Sequence, residues 1–370
     1  MVFFSELERL VSSDFKVKES FLYLGVPVFH LEENQDFEDG IRRIRDKLKS
    51  ENLIPILRRE AGQIVLRIHG GLPPSTTGPR RKWLDKLPII LFIATIISVT
   101  YSGYGHSMGY LSMLKLLGRL KSDEQVFLIT FISLYTISVM CVVGLHELGH
   151  LISSRKHKTK ASLPFFIPGP PPFGSFGAVI RQEAPILNKK ELFDLGLAGP
   201  ISGFVVSLII SFLGLPLSAL VNPEELAFIT STIETTSISV PVSWLVMDSL
   251  FFNGQFFLTR SPDSGLFINP VAFAAWAGLF ITFLNIFPIG QLDGGHVSYA
   301  LFGPKYHRYI SYGAALVMAL IGFWPMALLS ILTLRAGSPV MLDTITELDT
   351  KRKLASLIMP IMLVLSFSLF

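Results

Sequence analysis

Cysteine is nearly missing from this chain: there is one in 370 residues, Cys141, so no disulfide can form within it. Because Cys141 sits in an apolar run, it is expected as a small buried side chain. Charge is scarce too. Asp, Glu, Lys and Arg make up 16% of the residues and the net charge is +4. The basic residues gather in short stretches beside apolar runs, which fits the loop bias of a membrane protein better than nucleic-acid binding. The first 80 residues have no uninterrupted apolar run, so no cleavable signal is expected there. What is abundant is apolar surface. The hydrophobic share is 50% and the mean hydropathy +0.52, too apolar for a soluble protein. The composition is that of a polytopic α-helical membrane protein.

Charges recur through residues 1–80, which read as a small N-terminal soluble α/β module with a linker. Residues 21–29 and 64–68 read as strands flanking a helix over 35–48, where Phe37, Ile41, Ile44 and Leu48 recur at helical spacing. The Gly, Pro, Ser and Thr of 70–79 mark the linker. Residues 81–370 form the membrane domain, with a core over 88–300.

A bilayer core needs ~20 apolar residues per helix, and the runs at 88–101, 126–152, 192–220, 271–289, 309–334 and 354–370 give about six transmembrane helices. Arg80, Arg81, Lys82 and Lys86 place the start of the first in the cytoplasm, and the basic run 155–160 places the end of the second there. Glu224, Glu225, Glu234, Asp248 and Arg260 break up 221–265, which is expected not to cross. Pro325 is expected to kink the fifth span. Arg335 and residues 351–353 then fall outside, against the positive-inside rule.

Inside the second run stands HELGH, with His146, Glu147 and His150. Positions i and i+4 share a helix face, so two imidazoles can grip one metal while Glu147 points beside it. Ionisable groups within a span are costly and by default mark a functional site. A catalytic zinc takes three protein ligands and keeps one position open. Asp293, in the polar stretch NIFPIGQLDGGH (285–296) closing another apolar run, is the expected third ligand of one Zn2+ per chain. Residues 163–180 hold five prolines and three glycines and cannot be a helix. Their last part reads as extended, and its edge is a candidate to hold an unwound substrate through Gly174, Ser175, Phe176, Gly177 and Ala178. Asn285 is a further candidate substrate contact, or else a helix–helix hydrogen bond. The remaining histidines, His30, His69, His106, His157 and His307, read as soluble or loop residues without chemistry, and His296 as an interfacial residue or a partner of the ligands.

HELGH, then AGP (198–200), then NIFPIGQLDGG (285–295), in this order, resemble the site-2 protease family of intramembrane zinc metalloproteases. GSFGA (174–178), the module ahead of the first span and SPVMLDTITELD (338–349) are most similar to archaeal members and their plant plastid relatives. The resemblance implies zinc on His146, His150 and Asp293, Glu147 as the general base, and cleavage of peptide bonds in or near the transmembrane helices of protein substrates. It further implies an integral multi-pass protein in contact with membrane lipid, in an archaeal-like prokaryotic cell membrane, with its active site near the cytoplasmic side. A membrane metal transporter would need polar groups along a path through both leaflets, whereas here they cluster at one depth. A non-catalytic zinc-binding membrane scaffold or chaperone would have no use for Glu147.

Overall fold

The computed structural model describes residues 4–70, 86–259, 264–335 and 341–369. Residues 71–79 of the expected linker, Arg80, Arg81, Lys82, Arg260 and residues 338–340 lie outside the described residues.

The N-terminal part is α1 (Phe4–Ser12), β1 (Val17–Tyr23), β2 (Val26–Leu31), α2 (Phe37–Leu48), β3 (Leu53–Glu60) and β4 (Gln63–Gly70). The strands form one antiparallel sheet in the order β1-β2-β4-β3. The run 21–29, expected as one strand, is a hairpin. Leu24 and Gly25 both take positive φ, the geometry of a two-residue turn matched to strand twist. β3 was not expected, because Pro55 demotes a strand; it is tolerated since β3 is an edge. Asp36 caps α2 by accepting from Asp39 N. Ile41, Ile44 and Leu48 then bury against Phe29, Leu57 and Leu66, each worth about 1.5–3 kcal/mol over exposure.

This core is completed from far along the chain, by Leu187 and Leu342. Residues 341–344 run as a strap between β3 and Ile186: Leu57 N donates to Leu342 O (2.7 Å), Leu342 N to Ile186 O (2.9 Å) and Asp343 N to Leu187 O (2.8 Å). Burial pushes the Asp343 carboxyl above its ordinary value, against the opposing pull of donors from Thr346 and Ile345.

The rest is mostly helical: α3 (Leu87–Leu116), α4 (Glu124–Lys156), the hairpin β5 (Phe165–Pro168) and β6 (Ser175–Val179), α5 (Lys189–Gly214), β7 (Ala219–Val221), α6 (Pro223–Thr232), β8 (Val240–Pro241), α7 (Val242–Phe251), β9 (Gly265–Phe267), α8 (Pro270–Ile286), α9 (Asp293–Leu320), α10 (Trp324–Arg335), α11 (Thr350–Ala355), α12 (Ile358–Ser366) and β10 (Ser368–Leu369). Among the described residues three helices are long and apolar enough to cross a membrane: α3, α4, and α5 with the turn that follows it, Lys189–Leu217. α8, at 17 residues, is a shorter apolar helix.

The chain departs from these expectations in five places, and about six spans are not borne out: the expected span 354–370 falls on α11 and α12, of 6 and 9 residues, too short to cross. α3 continues 15 residues past Tyr101, because Gly103 and Ser107 are buried and let α4 approach. A Cβ on Gly103 would stand 2.7 Å from Tyr135 Cδ1. Cys141 is exposed on α4, not buried, as its position falls on the face turned from the other helices. The expected span 309–334 is two helices, α9 and α10, packed together. The turn at Gly322 has φ +95°, and Pro325 sits in the first turn of α10 where its missing N–H costs nothing. The strap and the residues after it therefore lie on the side of His146 and not outside: Arg352 binds Asp194 (2.6 Å) near the start of α5, and Lys189 binds Glu347 (2.6 Å). Residues 219–267 close as a loop through β7 paired with β9, and α6 and α7, at 10 residues each, are far short of crossing.

Candidate metal centre

Helix α4 brings His146, Glu147 and His150 to its last three turns, and α5 lies against them on a row of glycines. A Cβ on Gly203 would stand 2.9 Å from His146 Nδ1, and one on Gly196 would stand 2.7 Å from the Asp293 carbonyl. At Gly199 a Cβ would collide with the His150 ring. The helix spacing here is thus set by the imidazoles. Asn188 starts α5 by accepting from Lys190 N and Glu191 N. The buried Glu191 carboxylate accepts from Leu187 N (2.7 Å) and from the Thr159 hydroxyl, tying the segment after α4 to the start of α5.

Asp293 arrives from the other direction, as the first residue of α9 after the sharp bend that ends α8. Gly294 follows because a Cβ there would overlap the Ile286 carbonyl. The carboxylate oxygens reach both imidazoles: Oδ2 is 3.2 Å from His146 Nε2 and Oδ1 is 3.4 Å from His150 Nε2. The two Nε2 atoms are 3.2 Å apart. The separation of the two Nε2 atoms is close to one edge of a tetrahedron of zinc ligands, whose bonds of ~2.0–2.2 Å set edges of roughly 3.3–3.6 Å, and each imidazole faces a different oxygen of the one carboxylate. His150 Nδ1 lies 2.9 Å from the Leu195 carbonyl. A proton held there leaves the Nε2 lone pair free for a metal. His146, Glu147 and His150 also form a cluster with ligand atoms within 4.8 Å of one another. Glu147 joins the two imidazoles in that cluster, and the Asp293 carboxylate faces both imidazoles.

These groups line a cavity of about 890 Å³, which also takes in Asn285 and His296. Ala178, Val179 and Ile180 border it, whereas Gly174, Ser175, Phe176 and Gly177 do not. Gly174 lies at the tip of the β5–β6 hairpin, where Ser98 Oγ donates to its carbonyl (2.7 Å). The Tyr135 hydroxyl holds the neighbouring Pro172 carbonyl (2.9 Å). His106 and His307 are in helices and not loops, and His106 also reaches the Pro172 carbonyl (2.9 Å). His157 pairs with Asp194 at 2.8 Å. The cavity has a wall that sequence reading missed: Ile54, Ile56, His69 and Gly70 from the N-terminal sheet, with Gln182–Ile186 beside it. Nothing local marks those residues; the strap and the Lys190–Glu38 pair hold them against the cavity.

A mostly helical membrane protein with a histidine–carboxylate cluster at the end of a long apolar helix defines the class. The sequence model of peptidase family M50 matches residues 134–329, and the chain belongs to that family. Among its relatives are the probable zinc metalloprotease EGY2, chloroplastic, of Arabidopsis thaliana, 32% identical over 169 residues, covering 44% of this chain and 28% of that protein. The probable zinc metalloprotease EGY1, chloroplastic, of Oryza sativa subsp. japonica is 29% identical over 239 residues, covering 62% and 40%. The probable zinc metallopeptidase EGY3, chloroplastic, of Arabidopsis thaliana is 24% identical over 185 residues, covering 50% and 32%. The chain thus spans less than half the length of each of these three. The plant-plastid side of the resemblance is borne out. The archaeal-like cell membrane is not, since these relatives are chloroplastic; what stands is a membrane protein. No solved structure matches the chain.

Proposed function

We propose that this chain is an intramembrane zinc metalloprotease that hydrolyses peptide bonds in or near the transmembrane helices of membrane-protein substrates. The observation that carries the reading is the convergence of His146, His150 and Asp293 at 3.2–3.4 Å with Glu147 on the same cavity. His146, His150 and Asp293 would hold one zinc, and the names of the relatives as zinc metalloproteases support that metal. When bound, zinc supplies a Lewis acid and a water acidic enough to lose its proton near neutral pH. Glu147 accepts that proton and returns it to the leaving amine. The Leu195 carbonyl holds His150 in the tautomer that ligates.

A helical substrate hides its amides in its own hydrogen bonds and must unwind before a carbonyl is reached. Among the described residues β6 pairs only with β5, so its second edge at Ala178 is available to an unwound chain as an added strand. Asn285 lines the same cavity at the end of α8, which supports it as a contact for the substrate backbone. We take residues 1–80 as a module beside the membrane domain 81–370.

The test is incubation of the purified protein with a single-span membrane substrate, with and without a zinc chelator, alongside metal analysis of the Asp293→Ala variant. Chelator-sensitive cleavage and one zinc per chain, lost in the variant, are expected. Cleavage that persists without metal, or full zinc in Asp293→Ala, would sink the reading.

A further inference from the structure

The wall contributed by the N-terminal sheet has no part in holding a metal or moving a proton, yet it faces the same cavity as His146, Glu147 and Asp293. Ile54 and Ile56 are two residues apart on β3 and so lie on one face of the sheet. His69 is the cross-strand partner of Ile54 and joins them on that face. All three are half-buried, Ile54 also packing against the core in which Leu57, Leu66 and Ile68 are buried. Sheet surface of this kind, apolar with one imidazole at its margin, turns toward a space at the upper end of ligand-cavity sizes, roughly 300–1,000 Å³.

The wall is also fixed in place. The strap bonds β3 on one side and Ile186–Leu187 on the other, and residues 182–186 line the cavity themselves. Lys190 Nζ at the start of α5 reaches Glu38 on α2 at 2.6 Å. The sheet therefore stands at a set distance from the metal centre.

Resting on the proposed proteolysis, we infer that Ile54, Ile56 and His69 form a specificity subsite: they seat a large aliphatic side chain of the extended substrate, a few residues from the scissile bond. Continuity decides the occupant. A chain lying along the β6 edge past Glu147 emerges into the cavity that the wall bounds, and successive residues rise ~3.3 Å each, so the subsite is within reach of the same strand. Its chemistry decides the side chain. Ile54 and Ile56 offer methyl groups, and Glu183, which lines the same cavity, disfavours an acidic residue. A hydrophobic subsite of this kind discriminates by about 10- to 200-fold in kcat/KM.

Reciprocal charge changes test the assignment in the full-length protein. A single-span test substrate carries leucine, aspartate or lysine at each of the residues flanking the span on the metal-centre side. Wild type should prefer leucine by about tenfold or more at one flank position. Ile56→Lys should shift the preference there toward aspartate, and Ile56→Glu toward lysine, with zinc content unchanged. Equal loss on all three substrates in both variants would overturn the subsite, since a folding defect has no preference for charge. The second measurement does not need turnover. In a Cys141→Ser, Glu147→Gln background, Ile56→Cys should form a thiol cross-link to a cysteine in the substrate flank, and Lys18→Cys, on the far edge strand β1, should not. Equal cross-linking from both positions, or none from position 56, overturns it as well. If wild type cuts nothing, the proteolysis reading falls alone, and the cross-link still decides the wall.

Discussion

Two cavities of nearly equal size lie at opposite ends of α8, one of about 890 Å³ beside Asn285 and one of about 920 Å³ beside Asn269 and Trp276. Size does not tell them apart; what their polar groups are bonded to does. In the second, His106 is held by the Pro172 carbonyl. Asn269 caps α8 while donating to the Gly214 carbonyl, and the Tyr110 hydroxyl donates to the Leu217 carbonyl. Those groups serve the backbone. In the first, the imidazole Nε2 atoms and the Asp293 oxygens face one another and not the backbone, which gathers the donor set that a cation takes.

The sharpest way to break this comparison is at Glu147. Glu147→Gln keeps the shape but cannot take a proton, so turnover should fall by about 10²- to 10⁴-fold while zinc stays at one per chain. Cleavage near the wild-type rate would remove the general base. Next is the glycine row: Gly199→Val drives a side chain into the His150 ring and should weaken zinc affinity by about 10- to 100-fold, read by competition with a chelator. Unchanged affinity would mean that α5 does not set the imidazole. A smaller loss is expected from Ala178→Pro, which deletes a backbone donor at the cavity edge. Cleavage should slow with zinc retained, while Val179→Thr, which keeps the backbone, should matter less. The smallest effect belongs to the second cavity. His106→Ala removes one hydrogen bond, about 0.5–1.5 kcal/mol of stability by thermal unfolding, and should leave zinc content as it was. A large loss of zinc there would erase the distinction between the two ends.

The metal centre was legible because its signals are local. His146 and His150 are one turn apart, and Asp293 sits in a polar break. The fold was legible where periodicity was plain, as in α2 and α4. It was not where a long-range contact overrides the local pattern. β3 carries Pro55, which argues against a strand until its place at the sheet edge is known. The small residues after Tyr101 look like the end of a span until Tyr135 is seen packed on Gly103. Residues 309–334 have the hydropathy of one span, and only the turn at Gly322 divides them and returns the chain to the side of His146. The wall of the cavity is invisible for the same reason, since Ile54 and Asp293 meet through contacts that no window of sequence contains.

The strap between β3 and Ile186 also orders events in time. Thr344 reaches back 287 residues to Leu57, a separation at which loop closure is slow and must await synthesis of everything between them. His146, His150 and Asp293 are all made before the strap exists. A growing chain can therefore assemble its metal ligands while the cavity is still open on the side of the N-terminal sheet, and it closes the wall last. Synthesis of residues 341–344 thus becomes the step that turns a set of ligands into an enclosed chamber.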